Sequence, residues 1–169
     1  MLGATMHFRT YEFRHAETIL NSNHRLKKEV ESILGGLELD FPRPYANNEC
    51  SRPHQQIQRA FLKHGWHAET PVSRRRNARR QYFDLFKDRV AVEIELSSRS
   101  MLYRDYVRFL LAEAEGQIDV GVLLLLDHDA RDVHPAGLRN SLPRIEDVED
   151  DLHSLRSVFS VPIWVVAIS

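Results

Sequence analysis

The stretch Val120–Leu126, VGVLLLL, contains no polar side chain, and the run at residues 161–168, VPIWVVAI, repeats the pattern. A strand that is apolar throughout must be covered on both faces, which is the situation of strands buried beneath two layers of helices. Neither run approaches the roughly 20 residues that a membrane helix needs. The two runs therefore predict the middle of a sheet, and the rest of the chain must supply its cover.

That cover is visible as helical spacing. Residues 14–20 and 23–34 read as two consecutive helices, the second with Leu26, Val30, Ile33 and Leu34 on one face and Gly35-Gly36 at its end. A third helix opens at Pro53, carries Ile57, Ala60, Phe61 and Leu62, and stops at Gly65. Residues 101–115 carry Leu102, Tyr106, Phe109, Leu110 and Ala114 along one side, and residues 143–156 carry Ile145, Val148, Leu152 and Leu155. Strands are predicted at 66–72, 81–86, 90–96, 119–126 and 161–168, with a Pro- and Asn-rich loop at 40–52. The order α-α-α-β-β-β-α-β-α-β makes this an α/β chain with a mixed central sheet flanked by helices. At 169 residues, with no Gly/Ser linker and no repeat, a single domain over 1–169 is expected.

Charge narrows the partners. Lys and Arg number 23 against 24 Asp and Glu, so any surface for nucleic acid must be local. One such place exists: Arg52, Arg59, Lys63, Arg74, Arg75, Arg76, Arg79 and Arg80 face a single acid, Glu69, between residues 52 and 80. Cys50 is alone, which excludes an intramolecular disulfide and a CxxC zinc knuckle. The N-terminal MLGATMHFRTYEFRH turns charged too early for a secretory signal, so a reducing compartment is expected. Nine histidines include no HExxH and no Cys/His pair at ligand spacing, so none is assigned to a metal. There is no Gly-rich phosphate loop and no motif for Ser-His-Asp catalysis.

Residues 90–96 alternate cleanly. Val90, Val92, Ile94 and Leu96 share one face, which leaves Ala91, Glu93 and Glu95 on the other. Acids two apart on a strand lie roughly 6.5–7 Å apart with parallel side chains. Lys87-Asp88-Arg89 makes a tight return, so a hairpin brings Asp84 towards Glu93. Asp84, Glu93 and Glu95 then offer three hard oxygen donors around one point, a set suited to Mg²⁺. The plainer reading of E-x-E is a solvated strand face. Against it stand the uniformly apolar opposite face, the adjoining strand with Asp84, and the arginine-rich stretch just before. A cation held by acids beside arginines that grip phosphates is the equipment of phosphodiester hydrolysis.

DLFKDRVAVEIE, a D-x8-E-x-E pattern, resembles the metal-binding motif of the PD-(D/E)xK nucleases. The words KHGWHAETP, FDLFKDRVAVEIELSS, QIDVGVLLLL and VPIWVVAI, with the opening FRHAETILNSNHRLKKEVESIL, resemble type II restriction endonucleases of the BglII, BamHI and BstYI kind. The resemblance covers about residues 11–168 and is loosest at 40–53 and 127–143. It implies the restriction-endonuclease-like fold and a prokaryotic cytoplasmic enzyme. It further implies a Mg²⁺-dependent homodimer that cuts palindromic double-stranded DNA to 5′-phosphate and 3′-hydroxyl ends. Asp84 and Glu93 match the two metal-binding acids, joined by the backbone carbonyl of Ile94. Glu95 stands where most of the superfamily has lysine, and Glu69 matches an upstream fourth position. By resemblance Glu95 is the general base or a second-metal ligand, with Glu69 helping to hold the metals.

Base contacts are expected from Ser97, Ser98 and Arg99 in the turn after the catalytic strand, although a serine run also caps helices. A second recognition loop is expected at 134–143, with Arg139, Asn140 and Ser141 as candidates, although a polar surface loop looks the same. Arg74, Arg75 and Arg76 are candidates for phosphate contact rather than a solvated face. A palindrome suits a two-fold protein, with the helices at 101–115 and 143–156 as candidate dimer surfaces. Two rival readings stay open: a repair or structure-specific nuclease of the same fold, and a DNA-binding module without catalysis. No membrane partner is expected.

Overall fold

In the computed structural model, which describes residues 7–22, 25–39, 51–75, 81–127 and 142–168, the two apolar runs lie side by side as parallel strands. Numbered along the chain, the strands are β1 (Phe8–Phe13), β2 (His67–Pro71), β3 (Tyr82–Lys87), β4 (Val90–Ile94), β5 (Val120–Leu126) and β6 (Ile163–Ile168). The helices are α1 (Ala16–Ser22), α2 (Leu26–Gly35), α3 (Ser51–Leu62), α4 (Arg99–Ala114) and α5 (Ile145–Ser154). The sheet order is β1-β6-β5-β4-β3-β2, parallel from β4 through β6 and antiparallel at both flanks. This is the mixed sheet flanked by helices that the sequence predicts.

Alternation along the buried strands divides the interior. Val120, Val122, Leu124 and Leu126 of β5, with Val90, Val92 and Ile94 of β4, pack under α1, α2 and α3. Leu123 and Leu125, with Ala91 and Val165, pack under α4 and α5 on the other face. Both faces are sealed, which is why β5 tolerates no polar residue.

Three expectations need correction. Residues 8–13 form an edge strand where none was predicted. FRTYEF lacks strict alternation because β1 is paired only with β6, and its Phe8 packs into one core while Tyr11 and Phe13 pack into the other. The first helix starts at Ala16, since Arg14 and His15 turn the chain with φ of 55° and 58°. The last helix starts at Ile145, with Arg144 as its extended N-cap, and ends at Ser154. Its stripe Ile145, Val148 and Leu152 is spent in the core beneath the sheet, so it is not a free seam for a second copy. Most of the predicted loops at 40–52 and 134–143 fall outside the described residues.

Candidate active site

β3 and β4 meet in a two-residue hairpin. Lys87 pairs with Val90, and Asp88 and Arg89 between them take φ of 46° and 66°, the signature of the turn whose twist suits paired strands. Arg89 is fastened in this left-handed conformation by two bonds to Asp119, at 2.7 and 2.8 Å. The hairpin register stops at Leu85↔Val92. Beyond it β3 turns over: Leu85 lies in the α1–α3 core, yet Phe83, two residues away, lies in the α4–α5 core. Strict alternation would put both on one face. The switch falls at Asp84.

Freed from the ladder, the Asp84 side chain takes over a strand's work, its Oδ2 accepting the Ile94 N–H at 2.8 Å. Its Oδ1 is 3.3 Å from His54 Nε2 on α3, and its carbonyl oxygen accepts from Gln58 Nε2 at 3.2 Å. Burial pushes the Asp84 carboxyl up, but His54 and the Ile94 N–H outweigh it and hold the group below its ordinary value.

Glu93 and Glu95 are buried on the α4 side. Glu93 Oε1 receives Arg108 Nη1 at 3.0 Å, and Arg108 also reaches Asp105 Oδ1 at 3.4 Å. Burial, with the charges of Asp84 and Asp105, pushes the Glu93 carboxyl up to about 9 despite Arg108. Asp105, desolvated on the buried side of α4 and facing Glu95, is pushed up to about 7. Glu95 does not complete a three-carboxylate cluster. Its Oε1 turns onto the next bend and accepts the Ser97 N–H (2.8 Å), the Ser97 hydroxyl (2.6 Å) and the Ser98 N–H (2.9 Å). Its Oε2 lies 4.0 Å from Arg104 Nη2.

Asp84 and Glu95 line one pocket of about 280 Å³ with His54, Ile94, Ser97 and Arg104, while Glu93 lies buried behind its wall. Among the described residues no three His, Cys, Asp or Glu side chains are grouped to hold a metal. The donor chemistry nevertheless suits one hard cation, because Mg²⁺ takes one or two carboxylates and keeps waters. Glu93 is raised first by burial and then by the charge of Asp84, and a cation shared with Asp84 would favour its ionised form.

The other expected residues lie around this centre. Glu69 is exposed, with φ of 50°, and its β2 neighbours Ala68 and Thr70 pair with Leu85 and Phe83, which sets it across from Asp84 but outside the pocket lining. Ser97 lines the pocket, and Ser98 caps α4 by accepting the Ser100 N–H. Arg99 is held by α5, its guanidinium 3.1 Å from Asp147. Arg74 and Arg75 are exposed beside Glu115, which accepts the Arg74 N–H and pairs with Arg75 Nε at 3.1 Å. Arg76, Arg139, Asn140 and Ser141 lie outside the described residues.

Sequence reasoning missed His54, Gln58, Arg104, Asp105 and Arg108. Only Asp105 left a signal: it falls in step with Leu102, Phe109 and Ala112 on the buried face of α4, a carboxylate where an apolar residue belongs.

A model of the restriction endonuclease BglII/BglIII family matches residues 8–168. The chain is similar to the crystal structure of restriction endonuclease BglII complexed with a DNA 16-mer, with a TM-score of 0.75. Identity there is 24%, over 95% of this chain and 77% of that one. It is also similar to the crystal structure of free BglII, with a TM-score of 0.65 and 24% identity over 95% of this chain and 78% of that one. No curated protein matches the chain.

Proposed function

Because the chain belongs to the restriction endonuclease BglII/BglIII family and is a type II site-specific deoxyribonuclease, we propose that it cuts palindromic double-stranded DNA as a Mg²⁺-dependent homodimer. The ends it leaves are 5′-phosphate and 3′-hydroxyl, and residues 1–169 act as one nuclease domain in the cytoplasm of a prokaryotic cell. The observation that carries this reading is the pairing of Asp84 with buried Glu93 where β3 turns over against β4, at the edge of an open pocket.

Asp84, Glu93 and the Ile94 backbone are the groups that hold Mg²⁺ in this reading. When bound, the ion polarises the scissile phosphate and lowers the pKa of the attacking water. Asp84 is aimed by the Ile94 N–H on Oδ2, which leaves Oδ1, the oxygen beside His54, as the metal ligand. Glu95, the other carboxylate in the pocket wall, takes the proton of the attacking water through Oε2, since Oε1 is committed to the Ser97–Ser98 bend. Arg104 supplies positive charge for the phosphate from the same wall. Glu69 supports the metal from β2. Ser97, Ser98 and Arg99 approach the bases, together with Arg139, Asn140 and Ser141, while Arg74, Arg75 and Arg76 hold backbone phosphates. For Arg99 that contact requires release from Asp147.

Digestion of plasmid and phage DNA in Mg²⁺, with the ends sequenced, tests this directly. Discrete fragments with one palindrome at every end are expected, and Glu93→Ala is expected to lower cleavage by at least about 10³-fold. Smearing, or loss that starts from ends, would instead indicate a structure-specific nuclease. Specific binding with no cleavage in Mg²⁺ or Mn²⁺ would sink the roles given to Asp84 and Glu93.

A further inference from the structure

His54 and Gln58 stand four residues apart on α3 and therefore on one face. Both hold Asp84: Gln58 through the carbonyl oxygen and His54 through Oδ1. With Oδ2 on the Ile94 N–H, every oxygen of Asp84 has a partner. These partners are not equal. The Ile94 N–H belongs to a central strand and cannot withdraw. His54 is a side chain in the pocket wall, 28% exposed, with open space beside it. Its bond needs only a hydrogen on Nε2, which the neutral Nε2–H tautomer carries as well as the imidazolium.

We propose that His54 is a positioning residue that closes Asp84 to a divalent cation in the DNA-free protein, and that a cation takes Asp84 only by displacing it. The inference rests on the reading of Asp84 as a metal ligand. Glu93 is held in the same way from the other side, by Arg108, whose Nε is buried without a hydrogen-bond partner. Each carboxylate thus already has a donor, His54 on Asp84 Oδ1 and Arg108 on Glu93 Oε1, with which a cation competes. Mg²⁺ draws on substrate phosphate to fill its shell, so a capped pair of carboxylates takes it weakly until a phosphate adds its oxygens. His54 in this way couples entry of the cation to arrival of DNA.

Calorimetric titration of the whole chain with Mn²⁺, and separately with Ca²⁺, in the absence of DNA reads how far His54 closes Asp84 to a cation. His54→Ala is expected to bind either ion about three- to tenfold more tightly than the wild type. His54→Gln keeps a donor that reaches Oδ1 and is expected to stay within about twofold of the wild type. Should the alanine variant fold poorly, His54→Ser provides a second truncation with the same expectation. Affinity of the truncations equal to or weaker than wild type overturns the proposal: equality makes His54 a mere cap, and weakening makes it a ligand. Asp84→Ala separates this from the underlying reading. If it abolishes binding, Asp84 remains a ligand however His54 behaves. If it binds as the wild type does, the metal reading fails and the His54 proposal falls with it.

Discussion

Buried beside Asp84 and Asp105, Glu93 keeps its proton to about pH 9 in the cation-free protein, whereas the unfolded chain releases it near 4.5. Between those values the folded state binds more protons than the unfolded one, so stability falls as pH rises. Asp105 adds the same trend between its ordinary 3.8 and about 7. Above pH 7 the slope therefore belongs mainly to Glu93. Glu93→Gln mimics the protonated carboxyl and still accepts from Arg108. It is expected to flatten the thermal midpoint between pH 7 and 9 and to stabilise the cation-free protein by roughly 1–3 kcal/mol at pH 8, while abolishing cleavage. An unchanged slope would show that Glu93 is not the strained group. Glu95 poses a different question, since it is both a turn holder and the assigned base. Glu95→Gln keeps an acceptor for Ser97 and Ser98, so DNA binding in Ca²⁺ should persist while kcat falls about 10²–10⁴-fold. Asp84 and Glu93 were legible because strand alternation and hairpin spacing are local rules. His54 and Arg108 were not, because what they touch is fixed only when α3 and α4 dock on the sheet.

At the scale of elements, continuous apolar runs were the clearest text. β5 and β6 could be read because a strand sealed on both faces has no freedom of composition. β1 could not, since an edge strand pairs once and leaves half its residues to solvent. Nor could the turning over of β3 be read: YFDLFK keeps the same pattern whether or not the strand twists at Asp84. The buried sheet has one further constraint. Gly121 of β5 lies under Phe109 and Ile163, and a methyl there would sit 2.8 Å from Phe109 Cδ1 and 2.6 Å from Ile163 Cδ1. Phe109 is itself stacked on Phe83 at 5.9 Å, so its ring cannot withdraw freely. Gly121→Ala is expected to cost about 1–3 kcal/mol by chemical denaturation. Adding Phe109→Leu should recover part of that loss, whereas plain additivity of the two losses would place the strain elsewhere.

For the whole molecule, the sequence offered two helices as a seam between copies, and packing separates them. The stripe of α5 lies in the core. Helix α4 is apolar on two sides: Leu102, Tyr106 and Phe109 face the sheet, while Tyr103, Val107 and Leu111 remain 52%, 50% and 45% exposed. A row at i, i+4 and i+8 forms one continuous face, more than scattered surface residues require. The same helix supplies Arg104 and Arg108 to the acids, so a second copy seated on it would brace both active sites from behind. Val107 lies at the middle of the row, is half exposed and is given no role in catalysis. Val107→Arg is expected to shift sedimentation from dimer to monomer at micromolar concentration while leaving the circular dichroism spectrum unchanged. A site cut on both strands needs two active centres, so this variant is expected to lose linearisation of a one-site plasmid before it loses nicking. A variant that remains dimeric, or a wild type that is monomeric with DNA bound, would move the two-fold contact off α4.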